Sequence, residues 1–310
     1  WNTIAVSEEI RKEGLVAKNF MGDAFSNEMK NDVIKYIKEE FGGKIDLLVY
    51  SLASAVRTDP NTGEMYRSAL KSTAKEITGP TINLEKETMD MGTMGIATEE
   101  EISSTVKVMG GEDWKLWIEF LDNAGVLTEN FKTVAYSYLG PKVTYGIYKE
   151  GTIGAAKRDL EGTSDYLNDY LKTKYNGEAY VSLSKALMTK ASAVIPIFPL
   201  YATLLYKVMK AKGLHEGTIE QKQRLFKDMM YGGKPELDSN RRLRPDNWEM
   251  REDVQSEVEA IWDTITPENF KEIGDYEGVR EEFMQLNGFD FDNIDYSADV
   301  NLEELAKLKP

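Results

Sequence analysis

The stretch Lys44-Ile-Asp-Leu-Leu-Val-Tyr50, followed by Ser51-Leu-Ala-Ser54, constrains the fold more than any other part of the chain. It is apolar almost without interruption, and a strand of that kind must be covered on both faces, as in a parallel sheet flanked by helices. What precedes it agrees: an amphipathic segment started by Ser26, with Val33, Ile34 and Ile37 on one side, stops at Gly42-Gly43. Leu15 to Phe20, Asn130 to Tyr138 and Glu178 to Lys185 read as further strands, and a helix is expected to end at Gly14. Alternating helix and strand of this kind predicts an α/β protein with a doubly wound parallel sheet, in which ligands bind at the carboxyl ends of the strands. Ser51 to Ser54 is then either a cofactor wall or an ordinary strand-to-loop turn.

The 310 residues contain no Pro/Ser-rich linker, so one unit with additions, 1–310, is expected. Residues 57–95 read as an excursion from the sheet, with turn signals at Asp59-Pro60-Asn61 and Gly79-Pro80. Trp114, Trp117, Ile118 and Leu121 recur at helical spacing after Gly110-Gly111 and read as core. Residues 193–235 begin with an apolar, aromatic run broken by Pro196 and Pro199, suited either to walling an acyl tunnel or to a Pro-interrupted core helix. Residues 236–310 read as an acidic, helical extension. A net charge of −15 argues against nucleic-acid or anionic-membrane partners. With no cysteine and one histidine, thiolate or histidine-rich metal centres and a thiol nucleophile are not expected, and the cytoplasm is the expected compartment. Asn287-Gly-Phe-Asp-Phe-Asp292 lacks the carboxylate spacing of an EF-hand loop. The chain opens at Trp1 without a methionine, so residues upstream are expected.

The chemistry concentrates between Tyr136 and Lys157, where an aromatic segment runs through Gly151 and Gly154 into a lysine-bearing helix. A phenol is a weak acid at neutral pH, and a nearby cation favours release of its proton. Nine positions at ~100° each place Tyr148 and Lys157 on opposite faces of an ideal helix. Both can face one site only if Tyr148 precedes the regular helix, and the glycines permit that break. Arg241, Arg242 and Arg244 suit either a phosphate site or a surface ion-pair patch.

Tyr148 and Lys157 with eight residues between them, Gly151-Thr-Ile-Gly154, Ala135-Tyr-Ser-Tyr-Leu-Gly140, Val108-Met-Gly-Gly-Glu-Asp-Trp114, Lys185-Ala-Leu-Met-Thr-Lys-Ala-Ser-Ala-Val-Ile-Pro196 and Asn287-Gly-Phe-Asp290 together resemble the trans-2-enoyl-CoA reductase family, also known as FabV-type enoyl-ACP reductases. The likeness runs along the whole chain. It implies a Rossmann-like doubly wound parallel sheet of the short-chain dehydrogenase type, and NADH-dependent reduction of the C2=C3 bond of a trans-2-enoyl thioester without flavin or metal. By resemblance, Tyr148 is the proton donor, Lys157 its cationic partner and a holder of the nicotinamide ribose, and Tyr138 a substrate contact. Cofactor contacts carry over to Asp23, Ala24, Leu52, Ala53, Leu187, Met188 and Thr189, and the segment around Pro196 to Tyr201 would cover the acyl group. The carrier is coenzyme A or acyl carrier protein, and a monomer is expected ahead of a homodimer.

One departure accompanies the resemblance. The family's glycine-rich phosphate loop and first strands would lie upstream of Trp1, so they are expected to be missing from this sequence. A molecule that truly began at Trp1 would bind NADH weakly and turn over little. A nonenzymatic scaffold is therefore a second expectation, of a different class.

Overall fold

A computed structural model describes residues 2–52, 54–233 and 235–307. In chain order, α1 (Asn2–Lys12) and α2 (Asn27–Glu40) precede β1 (Ile45–Tyr50). Two hairpins follow, β2 (Val56–Thr58) with β3 (Met65–Arg67), then β4 (Ile77–Asn83) with β5 (Thr88–Met94). The helices α3 (Glu99–Met109) and α4 (Glu112–Asn123) lead to β6 (Leu127–Ser137), the single turn α5 (Tyr145–Tyr148), the long α6 (Thr152–Tyr175) and β7 (Glu178–Leu183). The remainder is helical: α7 (Phe198–Ala211), α8 (Thr218–Arg224), α9 (Glu252–Trp262), α10 (Phe270–Ile273), α11 (Tyr276–Leu286) and α12 (Leu302–Lys307).

The central sheet is parallel in the order β1-β6-β7, with Val49 opposite Val134 and Val134 opposite Tyr180. Side chains alternate between its faces. Phe131, Ala135, Ala179, Val181 and Leu183 pack with α2, α4 and α6. Val134 and Tyr180 point the other way, onto Leu225, Met230 and Leu243. Both faces are thus covered at β6 and β7, whereas β1 stands at the edge of the described sheet with no fully buried residue and Val49 exposed, short of the cover on both faces that its apolar run led one to expect. Trp114 and Ile118 are fully buried, and the Trp114 Nε1–H donates to Thr133 Oγ1 at 2.8 Å, which satisfies the one polar group that the indole brings into the core.

Local chemistry sets the boundaries. Ser26 caps α2 by accepting from the Met29 amide, and Gly14 adopts φ +74 just beyond α1. Thr98 and Glu101 cap α3 reciprocally. Gly110 and Gly111 then let the α3–α4 corner press against α6, where the Gly111 amide donates to Asp159 Oδ2 at 2.8 Å and a Cβ on Gly111 would collide with Thr163.

A second expectation needs correction. Leu15 to Phe20 is irregular chain and not a strand: no described strand runs beside it to share a ladder, and Leu15 and Val16 remain exposed. The excursion, read from sequence only as turns leaving the sheet, is built around two hairpins. The two-proline run enters α7, whose residues from Phe198 to Tyr206 are buried on every side, with Pro199 in the first turn. This helix forms a second apolar core with Val254 and Val258 of α9 and Val279 of α11. Among the described residues no helix is long and apolar enough to cross a membrane.

Candidate active site

β6 ends at Ser137 and delivers Tyr138 to the carboxyl edge of the sheet. The chain then turns through Gly140 (φ +68) into α5, which ends at Tyr148. Gly151, in extended conformation, breaks the helix, and α6 restarts at Thr152. The break depends on the absence of side chains. A Cβ at Gly151 would run into the Ile147 carbonyl, and one at Gly154 into the Lys149 carbonyl. It is also held from outside by the excursion: the Thr152 amide donates to Lys71 O at 2.9 Å, the Thr73 amide donates to Glu150 O at 3.0 Å, and Ser72 bridges to Gly151. Tyr148 therefore sits in its own turn ahead of the helix that carries Lys157, as the spacing demanded.

Tyr148 and Lys157 line a common cavity of about 170 Å³, together with Ser137 and Tyr138. Lys157 is partly buried, and its Nζ donates to Ser137 Oγ at 3.1 Å. Desolvation brings its pKa down to about 8, against a smaller upward pull from Glu161. Burial first, and then the charge of Glu249, raise the pKa of Tyr148. The depression of the phenol pKa expected from Lys157 is not found, and Tyr148 keeps its proton at neutral pH. Its ring is fixed by edge-on contacts with Tyr138 and with Phe198 of α7, the latter at 6.2 Å between centroids.

A second cavity, of about 340 Å³, adjoins the first across Tyr138 and Tyr148. Ser51 beyond β1, Leu187 and Thr189 beyond β7, Phe198, and Lys222 of α8 line it. Lys222 donates to Ser184 Oγ at 2.8 Å, and burial brings its pKa down to about 8. A wider cavity of about 520 Å³, between the β4–β5 hairpin and Phe283 of α11, is lined by no tyrosine and by one exposed lysine, Lys190. Glu85 and Asp90 also line it, whereas the tyrosines, and the lysines whose pKa is lowered, line the two smaller cavities.

The structure brings Tyr138, Tyr148, Lys157, Leu187 and Thr189 together around these spaces. Met188 is buried in the core beneath them, its amide donating to the Tyr206 hydroxyl at 3.1 Å. Asp23, Ala24 and Leu52 do not line them. Asp23 is exposed and accepts from the Phe25 amide at 2.9 Å, Ala24 accepts from Trp117 Nε1 at 3.2 Å, and Leu52 is exposed beyond β1. Ala53 lies outside the described residues. The arginine cluster resolves to ion pairing: Arg242 with Asp238 and Glu161, Arg244 with Asp246 and Asp238, Arg241 with Asp165.

Sequence reading missed Glu249. It is fully buried between α7 and the loop after β7, accepting from Tyr138 at 3.0 Å, Tyr201 at 2.7 Å and the Ala186 amide at 2.6 Å. Tyr138 and Glu249 are 111 positions apart, and nothing local to Asn-Trp-Glu-Met betrays the contact.

Known proteins match this arrangement along the whole chain. A family model described as the trans-2-enoyl-CoA reductase catalytic region covers residues 1–231. A trans-2-enoyl-CoA reductase [NADH] of Clostridium beijerinckii is 54% identical over 311 residues, spanning 100% of this chain and 78% of that protein. An enoyl-[acyl-carrier-protein] reductase [NADH] 2 of Photobacterium profundum is 53% identical over 310 residues, spanning 99% of this chain and 77% of the relative. The crystal structure of Clostridium acetobutulicum trans-2-enoyl-CoA reductase in complex with NADH superposes with a TM-score of 0.97 at 52% identity, spanning 100% of this chain and 78% of that one. The chain belongs to the trans-2-enoyl-CoA reductase family.

A second model, described as an enoyl reductase FAD binding domain, covers residues 237–300. The side chains there do not suit a flavin dinucleotide. Arg241, Arg242, Arg244, Arg251, Lys271 and Arg280 are all engaged by carboxylates, so none is free for a pyrophosphate. The Tyr148 cavities do suit a nicotinamide: apolar Leu187 and Phe198 flank hydroxyls of Ser51 and Thr189, and Lys157 commits one of its three donors.

Proposed function

We propose that this protein reduces the C2=C3 double bond of a trans-2-enoyl thioester with NADH. The observation that carries the reading is a buried, protonated phenol, Tyr148, sharing a cavity with the partly buried amine of Lys157 at the carboxyl edge of a parallel sheet. Ser51, Leu187, Thr189 and Lys157 would hold the nicotinamide end of the cofactor, and Asp23, Ala24, Leu52, Ala53 and Met188 are carried by family resemblance alone. When bound, NADH supplies the hydride, which adds at C3. Negative charge then gathers on the thioester oxygen, and Tyr148 meets it with its O–H, stabilising the enolate or delivering the proton. Hydride at C3 and proton at C2 account for both hydrogens gained. Lys157 holds positive charge beside the phenol as its proton leaves. Phe198 and the apolar wall of α7 exclude water from the reacting end.

Enoyl-CoA is the carrier this reading favours. Arg241, Arg242 and Arg244 are neutralised by carboxylates, which leaves no basic patch there for an acidic carrier protein. The 53% identical relative named as an acyl-carrier-protein reductase supports the second carrier. Loss of NADH absorbance with crotonyl-CoA, compared with crotonyl-ACP, tests both. No turnover with either carrier in the full-length protein would overturn the proposal and favour the nonenzymatic scaffold. The protein is expected to work as a monomer in the cytoplasm, which sedimentation velocity and cell fractionation check.

A further inference from the structure

Glu249 gathers three donors from three separate parts of the fold. The Tyr138 hydroxyl reaches it from the loop after β6, the Tyr201 hydroxyl from α7, and the Ala186 amide from the loop after β7 that also carries Leu187 and Thr189. Gln255 of α9 closes the knot, its Nε2–H donating to the Tyr201 hydroxyl at 3.0 Å and to the Glu249 carbonyl at 2.6 Å. An ionised carboxylate has lone pairs enough for all three donors, whereas a protonated one must itself donate.

A phenol has one hydroxyl proton. With that proton committed to Glu249, Tyr138 can offer a ligand only lone pairs. The hydroxyl of Tyr148 makes no hydrogen bond to a described residue, and Tyr148 lines both cavities. The two rings touch, so without a fixed acceptor on one of them both hydroxyls would compete for a substrate oxygen. We infer that Glu249 is a positioning residue for the reduction: by holding the Tyr138 proton it makes Tyr138 an acceptor and leaves Tyr148, of the two tyrosines that line both cavities, as the phenolic donor to the substrate. This rests on the proposed reductive role of the Tyr148 site.

The knot is sensitive to protons. Burial raises Glu249 to about 7, Asp246 adds to the rise, and the Ala186 amide, the Tyr201 hydroxyl and Lys185 oppose it. The other groups facing it are Tyr138, Tyr148 and Tyr206, all pushed up by burial, so they stay neutral where Glu249 titrates. Lys185 is itself lowered to about 8 by burial. Protonated Glu249 releases one tyrosine proton to the cavity, and turnover should fall as pH drops through about 7.

The test uses the full-length protein with NADH and crotonyl-CoA. Glu249→Gln is expected to lower kcat about tenfold or more, to leave KM for NADH within about threefold, and to flatten the acidic limb of the kcat profile. Wild-type kcat with the acidic limb unchanged would overturn the inference. If Glu249→Gln does not fold, Tyr138→Phe decides: with no Tyr138 hydroxyl to be released on protonation of Glu249, the acidic limb should flatten, and a limb unchanged from wild type sinks the idea. Tyr148→Phe separates the two levels of argument. Full turnover in that variant removes the site reading itself, whereas lost turnover there with unaltered Glu249→Gln removes only the role of Glu249.

Discussion

The rings of Tyr138 and Tyr148 meet edge to face with centroids 4.7 Å apart, at an interplanar angle of 86°. That contact fixes where the Tyr148 hydroxyl stands without using the hydroxyl. Tyr148→Phe should therefore preserve packing and NADH binding while removing the proton. We expect kcat to fall roughly 100- to 10,000-fold, the usual worth of a positioned general acid, with the melting temperature nearly unchanged. Turnover close to wild type would contradict the assignment.

Lys157 predicts the alkaline side of the profile. With its pKa brought down to about 8 by burial, the cation beside Tyr148 is lost as pH rises past that value. The ratio kcat/KM should decline above about pH 8, and Lys157→Met should be weak throughout, with no such decline. An alkaline limb that persists in Lys157→Met would show that another group titrates there.

The buried carboxyl of Glu249 makes a thermodynamic prediction separate from its kinetic one. Its folded pKa, about 7, lies above the reference value, so the folded state holds the proton more tightly. That contribution is complete below the unfolded pKa and is lost as pH rises through about 7, amounting to about 3 kcal/mol by linkage. Wild type should lose thermal stability relative to Glu249→Gln between pH 5 and pH 8. Parallel melting temperatures for the two proteins across that range would refute the burial argument.

Gly154 tests the break between α5 and α6. The atom that a Cβ would meet is the backbone carbonyl of Lys149, which cannot rotate away as a side chain would. Gly154→Ala should destabilise by about 1–3 kcal/mol and displace Tyr148 relative to Lys157. The expected reading is a lowered melting temperature with a disproportionate fall in kcat. An alanine variant with both unchanged would mean that the turn can slide.

How much of this was legible beforehand differs from element to element. The apolar run at β1 announced a parallel strand but not how far it is covered, because cover depends on neighbours, and β1 stands at the edge of the described sheet with Val49 exposed. The break after Tyr148 was legible only as a condition, since the helical phase required it if Tyr148 and Lys157 were to share a site and the two glycines permitted it. Leu15 to Phe20 was misread because apolar composition says nothing about whether a partner strand lies alongside. The arginine cluster stayed ambiguous because guanidinium groups suit phosphates and carboxylates alike, and only tertiary placement put Asp238, Asp246 and Glu161 beside them. Glu249 was invisible because its meaning lies wholly in partners from α7 and from the loops after β6 and β7.

The hydrogen bonds from Lys71, Ser72 and Thr73 to the α5–α6 break have a consequence for anyone wishing to borrow this chemistry. The Tyr-x8-Lys segment does not carry its own geometry. A peptide spanning 136–175, or the same segment grafted onto another scaffold, would lack the external clasp supplied by the hairpin region. It would be free to zip into one helix with Tyr148 and Lys157 on opposite sides. The transferable unit is the segment together with its clasp, two pieces of chain about eighty positions apart.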